Sequence, residues 1–255
     1  MEFPVAEARG QFSSKLGFIL AAAGSAVGLG NVVAFPVMAS KNGGAAFLII
    51  YLFFIAFICY PVMMAEIAMG RQTNRNPVGA FSQLSNGHRG WRLAGVLAIV
   101  TPFMIAVFYT VITVWLVVYI KEIAVGRLDV LSNQSTFGEV VARPSLFGYL
   151  IGLLCLIFFI LLGGVKGGIE RLARILMPTL ALMLVSLTLF VLTLDNAIAG
   201  IRYYLVPDFT RMNLSVINGA LSQAFFSLSL GMGILVTYGS YFNRQDNIPQ
   251  STRMV

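Results

Sequence analysis

Between Gly17 and Pro36 the chain reads GFILAAAGSAVGLGNVVAFP. The run is apolar enough to sit in a bilayer, yet Gly24, Gly28 and Gly30 crowd its centre and Asn31 follows at once. Glycine weakens a helix by about 1 kcal/mol relative to alanine. A backbone opened in hydrocarbon leaves N–H and C=O groups unpaired, at several kcal/mol each. An interrupted membrane helix is therefore tolerated only where it is buried in protein or lines a polar cavity. Breaks of this kind build ion and solute sites near the membrane midplane. Small-xxx-small packing accounts for Gly24 and Gly28. It leaves the third glycine, Asn31 and the Phe35-Pro36 that follows unexplained.

The rest of the chain is of the same kind. It is 58% hydrophobic and 11% charged, against about 25% charged in soluble domains. A helix needs about 20 apolar residues to cross roughly 30 Å of hydrocarbon. Six stretches qualify, at 16–39, 45–70, 93–121, 147–163, 175–194 and 214–242. The expectation is an all-α integral membrane protein, with residues 1–15 as an N-terminal segment, 16–242 as the transmembrane domain and 243–255 as a polar end. A short interfacial helix is expected around Pro77–Leu84, and 126–146 and 195–213 read as loops. The net charge of +7 sits in short loops. Eleven of the 17 basic residues fall on one side, among them Arg9, Arg71, Arg75, Lys166, Arg174 and Arg244. The positive-inside rule then places both termini in the cytoplasm of a plasma (inner) membrane protein. This placement speaks against nucleic acid as a partner. Cys59 and Cys155 both lie in apolar runs and read as small buried hydrophobes. One histidine, His88, leaves no His/Cys cluster for a transition metal.

The sixth stretch, QAFFSLSLGMGILVTYGSY from Gln223 to Tyr241, repeats the first in kind. Ser227, Ser229, Gly231 and Gly233 gather in mid-segment. Packing, with serines bonding back to their own helix, is one reading. A pair of glycine-interrupted spans at corresponding places is the sequence pointer to a binding site between inverted repeats. Glu66 is the one acid inside an apolar span, where charge is costly and faces the bundle interior.

Five motifs in order, GSAVGLGNVVAFP (24–36), NGGAAF (42–47), EIAMGR (66–71), KGGIERLARILMPTL (166–180) and FFSLSLGMG (225–233), make the chain resemble the neurotransmitter:sodium symporter family, of bacterial amino-acid transporter type. The resemblance implies two inverted five-helix repeats, of which this chain holds helices 1–5 and helix 6, with helices 1 and 6 unwound at the midplane. It implies Na+-coupled symport of amino acids or related solutes; Cl− dependence stays open. It places sodium ligands at the backbone of Gly24, Ala26 and Val27, the Asn31 side chain and the Ser227 hydroxyl. It lines the substrate pocket with Ala26, Gly28, Leu29, Gly30, Ile105, Tyr109, Phe226, Ser227, Ser229 and Met232, Tyr109 donating to a substrate carboxylate and Phe226 forming a lid. Gly28 stands where monoamine carriers of the family have an aspartate, so an amino-acid substrate is expected. Arg9 and Tyr241 resemble parts of an inner gate. Glu66 resembles an acid that supports the sodium site, holding amides of the broken first helix. Glu170, with Arg171 and Arg174, reads as ordinary membrane-edge charge. Ala34 departs from the family pattern N-x-x-R-F-P, removing an outer-gate arginine.

Family chains carry about twelve such spans, so the sequence reads as an N-terminal half. The alternative to a symporter is a truncated or partner-dependent membrane protein without transport of its own, possible partners being a second chain that completes the fold. A passive channel fits less well with a site that holds both ion and solute ligands. Catalysis has only Glu66 and His88 to offer, in different environments and with no nucleophile pattern near, so no enzyme is expected.

Overall fold

The computed structural model describes residues 12, 14–127, 138, 142–242 and 245–255. Helices, turns and loops make up the described residues, which contain no strand. The first helix, α1 (Lys15–Ala26), opens on the Ser14 hydroxyl, which accepts the Gly17 N–H at 3.1 Å. This is ordinary N-capping, one orphan donor of the first turn being satisfied by a side chain. At its end Val27 swings into an extended conformation, φ −87° and ψ 114°. The chain re-enters a helix through a wide turn, Gly30–Ala34, and continues as α2 (Phe35–Lys41). The two halves are bent by 59°.

The wide turn has a local cause. Pro36 has no N–H to donate and its ring presses on the carbonyl four residues back. A turn widened by one residue just before the proline relieves both problems. The same device recurs in the second segment, where α3 (Ala45–Phe54) passes through a wide turn at Ile55–Cys59 into α4 (Tyr60–Thr73), and the proline is Pro61. Asn74 ends α4 in the left-handed region, φ 51°. A short helix, α5 (Pro77–Leu84), leads to α6 (Arg89–Ala124). At about 1.5 Å per residue, the 36 residues of α6 exceed the hydrocarbon thickness. Beyond it come α7 (Leu146–Leu162) and a wide turn at Gly164–Glu170 that runs into α8 (Arg171–Leu192). The chain ends with α9 (Ala197–Leu205), α10 (Leu214–Ser227), α11 (Ile234–Gly239) and α12 (Ile248–Thr252).

Among the described residues three continuous helices are long and apolar enough to cross a membrane: 45–73, 89–124 and 164–192. The bent pair α1–α2 makes a fourth if counted as one span. The 17-residue α7 is apolar but shorter, and the sixth stretch stops at Ser227 and resumes at Ile234.

The core lies where α1, α4, α10 and α11 meet. Phe18, Ala21 and Ala22 of α1 pack with Met63 and Ile67 of α4, Ala224 of α10 and Leu235 of α11. A smaller cluster joins Ala39, Phe47, Val216 and Ala220. The crossing of α4 and α11 is backbone on backbone. A Cβ at Gly70 would stand 2.0 Å from the Val236 carbonyl oxygen, and one at Gly239 would stand 2.4 Å from that of Ile67. Only glycine permits this approach, as in other membrane helix pairs.

Three expectations need correction. The loop expected at 195–213 contains α9, whose Tyr203 hydroxyl donates to the Ser40 carbonyl at 2.6 Å. The two adjacent tyrosines hold that stretch to α2, the Tyr204 hydroxyl donating to the Pro36 carbonyl at 3.4 Å. Cys155 is exposed, unlike the buried Cys59, because α7 buries none of its residues. Glu170 is not edge charge. It is 1% exposed, ion-paired with Arg174, and seated against Gly17, where a Cβ would overlap its carboxylate. Arg174 also donates to the Ser14 hydroxyl at 3.1 Å, so charge ties the start of α1 to α8.

Candidate functional site

The break in the first segment and the break in the sixth face each other. Ser229 sits in the left-handed region, φ 52°, a conformation that costs a non-glycine residue of order 1–3 kcal/mol. Its hydroxyl donates to the Ser25 carbonyl at 3.2 Å, crossing from one break to the other. Gly231 and Gly233 also have positive φ, 74° and 66°. A serine and two glycines with positive φ within five residues interrupt the helix between Ser227 and Ile234.

Two further side chains fix the breaks. Glu66 is buried on α4, and its Oε1 accepts the Gly231 N–H at 2.7 Å. Its Oε2 is buried with no hydrogen-bond partner among the described residues. The carboxylate thus holds an amide of the sixth segment, not of the first as expected. The break in the sixth segment turns the Gly231 amide toward α4, where Glu66 meets it. Gln223, buried on α10, reaches the other way. Its Nε2 donates to the Gly30 carbonyl at 3.3 Å and to Ser227 Oγ at 3.2 Å. Gln223 was not among the residues singled out in the sequence. Its signal was an amide in an apolar segment, four residues before Ser227.

Between the breaks and α6 lies a cavity of about 210 Å³. Of the expected substrate residues, Ala26, Gly28, Gly30, Ile105, Tyr109, Phe226, Ser229 and Met232 line it. Leu29 and Ser227 do not. Asn31 lines it as well, with Ser25, Pro102, Ala106 and Ile234, which the sequence reading missed. Gly28 faces Tyr109, and a Cβ there would meet its ring at 3.6 Å. Gly30 lies beneath Phe226, and a Cβ there would stand 2.1 Å from the ring. A residue with any side chain at 30 would expel the phenylalanine.

The expected sodium residues divide between two cavities. Ala26 and Asn31 line the one just described, while Gly24 and Val27 line a larger one of about 500 Å³ between α1 and α8. Ser25 lines both, so the broken helix is their common wall. Ser227 lines neither and is held by Gln223. At the other end of the sixth segment the Tyr241 carbonyl accepts the Phe12 N–H at 3.3 Å, and its ring meets Phe12 edge-on. Arg9 lies outside the described residues. His88 is far from this chemistry in role: its Nδ1 accepts the Gly90 N–H at 3.2 Å and caps α6.

The family model described as the sodium:neurotransmitter symporter family matches residues 9–139 and 130–255. The chain belongs to this family. Among members, it is 37% identical over 250 residues to an uncharacterized sodium-dependent transporter, YhdH, of Bacillus subtilis, covering 96% of this chain and 55% of that one. It is 30% identical over 277 residues to the sodium-dependent neutral amino acid transporter B(0)AT2 of Bos taurus, covering 95% of this chain and 37% of that one. A solved structure of MhsT in complex with L-phenylalanine superimposes with TM-score 0.83 at 41% identity, over 96% of this chain and 56% of MhsT. The chain spans about half the length of YhdH and MhsT. Within the symporter family the relatives are named as transporters, and the exposed apolar helices described above fit a multi-pass membrane protein.

Proposed function

We propose that this chain carries the solute- and sodium-binding part of a sodium-coupled symporter for amino acids or related small solutes. The observation that carries the reading is the cavity in which two helix breaks face Tyr109. In this reading six segments cross the plasma (inner) membrane with both termini cytoplasmic, as the first inverted repeat plus helix 6 of a five-plus-five fold. The segments 16–39 and 214–242 place their breaks at the midplane.

The chemistry follows from the backbone. Val27 leaves the helical ladder, so its carbonyl is turned out of the α1 axis. Opened carbonyls of a discontinuous helix coordinate Na+. Gly24, Ala26 and Val27 supply them, the Asn31 amide oxygen and the Ser227 hydroxyl add side-chain oxygens, and Gln223 orients Ser227. All of these donors are oxygens, which suits a hard monovalent cation. The half-helix that begins near Leu29 presents its N–H end, which attracts a carboxylate. Tyr109 donates its hydroxyl to that carboxylate, and Phe226 covers it. Gly28 leaves room for a substrate that brings its own carboxylate. Ile105, Phe226 and Met232 give the side-chain end an apolar wall, consistent with L-phenylalanine in MhsT. Ala34 supplies no outer charge.

The test is uptake of radiolabelled neutral amino acids into proteoliposomes carrying the protein. Uptake that rises with a Na+ gradient and saturates is expected; uptake of monoamines with none of amino acids would overturn the substrate class. A second reading, a partner-dependent chain without transport of its own, is favoured by α8, which buries none of its residues and leaves the larger cavity walled mainly by α1 and α8 alone. Absence of uptake, with activity restored by a co-expressed second chain, would select it.

A further inference from the structure

The two halves of the broken helix are anchored by different elements. The first half, α1, is held at its start by Glu170 and Arg174 and along its length by the core it shares with α4, α10 and α11. The second half, Gly30–Lys41 with its wide turn included, is no longer than the roughly 12–15 residues below which an isolated helix is marginal. The break at Val27 denies it the support of a continuous ladder. Its order must come from what rests on it.

A helix leaves its final carbonyls without partners of its own. In α2 the Met38 carbonyl accepts the Asn42 N–H at 3.0 Å and the Asn42 Nδ2 at 2.7 Å, and the Ala39 carbonyl accepts the Gly44 N–H at 2.8 Å. These partners are local, in the turn that follows. The Ser40 carbonyl is met from 163 residues away, by the Tyr203 hydroxyl at 2.6 Å. Four residues earlier the Pro36 carbonyl accepts the Tyr204 hydroxyl at 3.4 Å, so both contacts fall on one face of α2. Gly44 has φ 55°, and a Cβ there would overlap the Tyr203 carbonyl oxygen and ring. The backbone of α9 thus lies directly on the turn that closes α2. Helix α9 buries none of its residues; it is held by these contacts and by Tyr204 against the smaller apolar cluster.

We propose that α9 is a releasable strap on the second half of the broken helix. Through Tyr203 it caps α2 from outside the helix, and its release loosens α2 and the turn at 42–44 together while α1 keeps its place. The division follows from the break. Disorder in α2 does not pass to α1 through a shared ladder, and α1 has its own anchors. Segments with few buried contacts and exposed hydrogen bonds are the ones that open locally at low cost, and α9 is of that kind. In the chain it lies between α8 and α10, so a shift of either helix pulls on the strap. The proposal concerns order in α2 and stands whether or not the chain carries a solute.

Hydrogen exchange of the purified protein in lipid nanodiscs, read by mass spectrometry, tests it. Tyr203→Phe removes the hydroxyl and keeps the ring. A neutral hydrogen bond is worth roughly 2- to 10-fold in an opening equilibrium. Exchange over residues 37–47 should rise by that factor, with exchange over 15–26 unchanged. Gly44→Ala presses on the Tyr203 backbone and should give the same pattern with the hydroxyl still present. The double variant should exceed Tyr203→Phe by little, because both substitutions act on one contact. Unchanged exchange over 37–47 in Tyr203→Phe, an equal rise over 15–26, or effects of the two substitutions that multiply independently would overturn the proposal.

Discussion

Tyr109 and Glu66 put the two ends of the site under different physical control. Tyr109 lines the cavity beside Gly28, so Tyr109→Phe removes one hydroxyl and no volume. A hydrogen bond to a charged group is worth about 1.5–3 kcal/mol, so affinity for an amino acid should fall roughly 10- to 100-fold. The melting temperature should hold. Equilibrium binding and thermal denaturation of the variant together check this. Glu66 serves the fold. Its Oε1 holds the Gly231 amide while Oε2 is buried with no partner among the described residues. Glu66→Gln can keep the amide bond through its carbonyl oxygen and should cost less than about 1 kcal/mol. Glu66→Ala removes the carboxylate that accepts the part-buried Gly231 N–H and should cost about 1–3 kcal/mol. Thermal unfolding of the two variants in detergent separates them; equal losses would mean that the Gly231 bond is not what Glu66 contributes. Gly30→Ala is a third case. Its Cβ would stand 2.1 Å from the Phe226 ring, so overpacking of about 1–3 kcal/mol should come with loss of solute binding.

At the scale of elements, glycine has two opposite meanings in this chain. Gly70 brings α4 against the backbone of α11, and no side-chain rotation can make room there. Gly70→Ala should therefore separate the two helices and lower the yield of folded protein. Gly152 lies in α7 with nothing within 4 Å of a Cβ. Gly152→Ala should be neutral or stabilising by up to about 1 kcal/mol, the difference in helix propensity. Size-exclusion yield and thermal half-life of this pair give the measurement. Most elements were legible in the sequence. The expected 45–70 is found as 45–73, 147–163 as Leu146–Leu162, and the short helix at Pro77–Leu84 has those bounds. Long apolar runs punctuated by proline and polar residues leave the backbone few choices. What escaped were features set by contact rather than period. The helix α9 depends on Tyr203 reaching Ser40. The wide turn at Gly164–Glu170 ends on the buried Glu170, which pairs with the half-exposed Arg174, and a charge at a segment end gives no sign in the sequence of whether it is buried. In the site, Gly28 stood out as a glycine in an apolar span, whereas Tyr109 and Phe226 came from the family resemblance; all three line the cavity. Gln223 and Ser25 act through a side chain and a carbonyl that matter only once the two breaks are opposed.

For the whole molecule, apolar surface is the dominant fact. Helices α7 and α8 bury none of their residues, and Phe158, Phe159, Leu182 and Phe190 are exposed. Such a surface is stable only against lipid or further protein. The two breaks, by contrast, are largely half-buried and are tied to each other and to α4 by hydrogen bonds of Glu66, Gln223 and Ser229. A shell that demands hydrocarbon around a centre of opposed backbone breaks is the arrangement expected of a membrane carrier. The most direct measurement is uptake of a neutral amino acid by proteoliposomes containing the protein, with a Na+ gradient and with an equal K+ gradient, for the unaltered protein and Asn31→Ala. Saturable uptake driven by Na+, and weakened in the variant through a raised Na+ requirement, is expected. Amino-acid uptake of equal rate in Na+ and K+, indifferent to Asn31, would contradict the proposed coupling site.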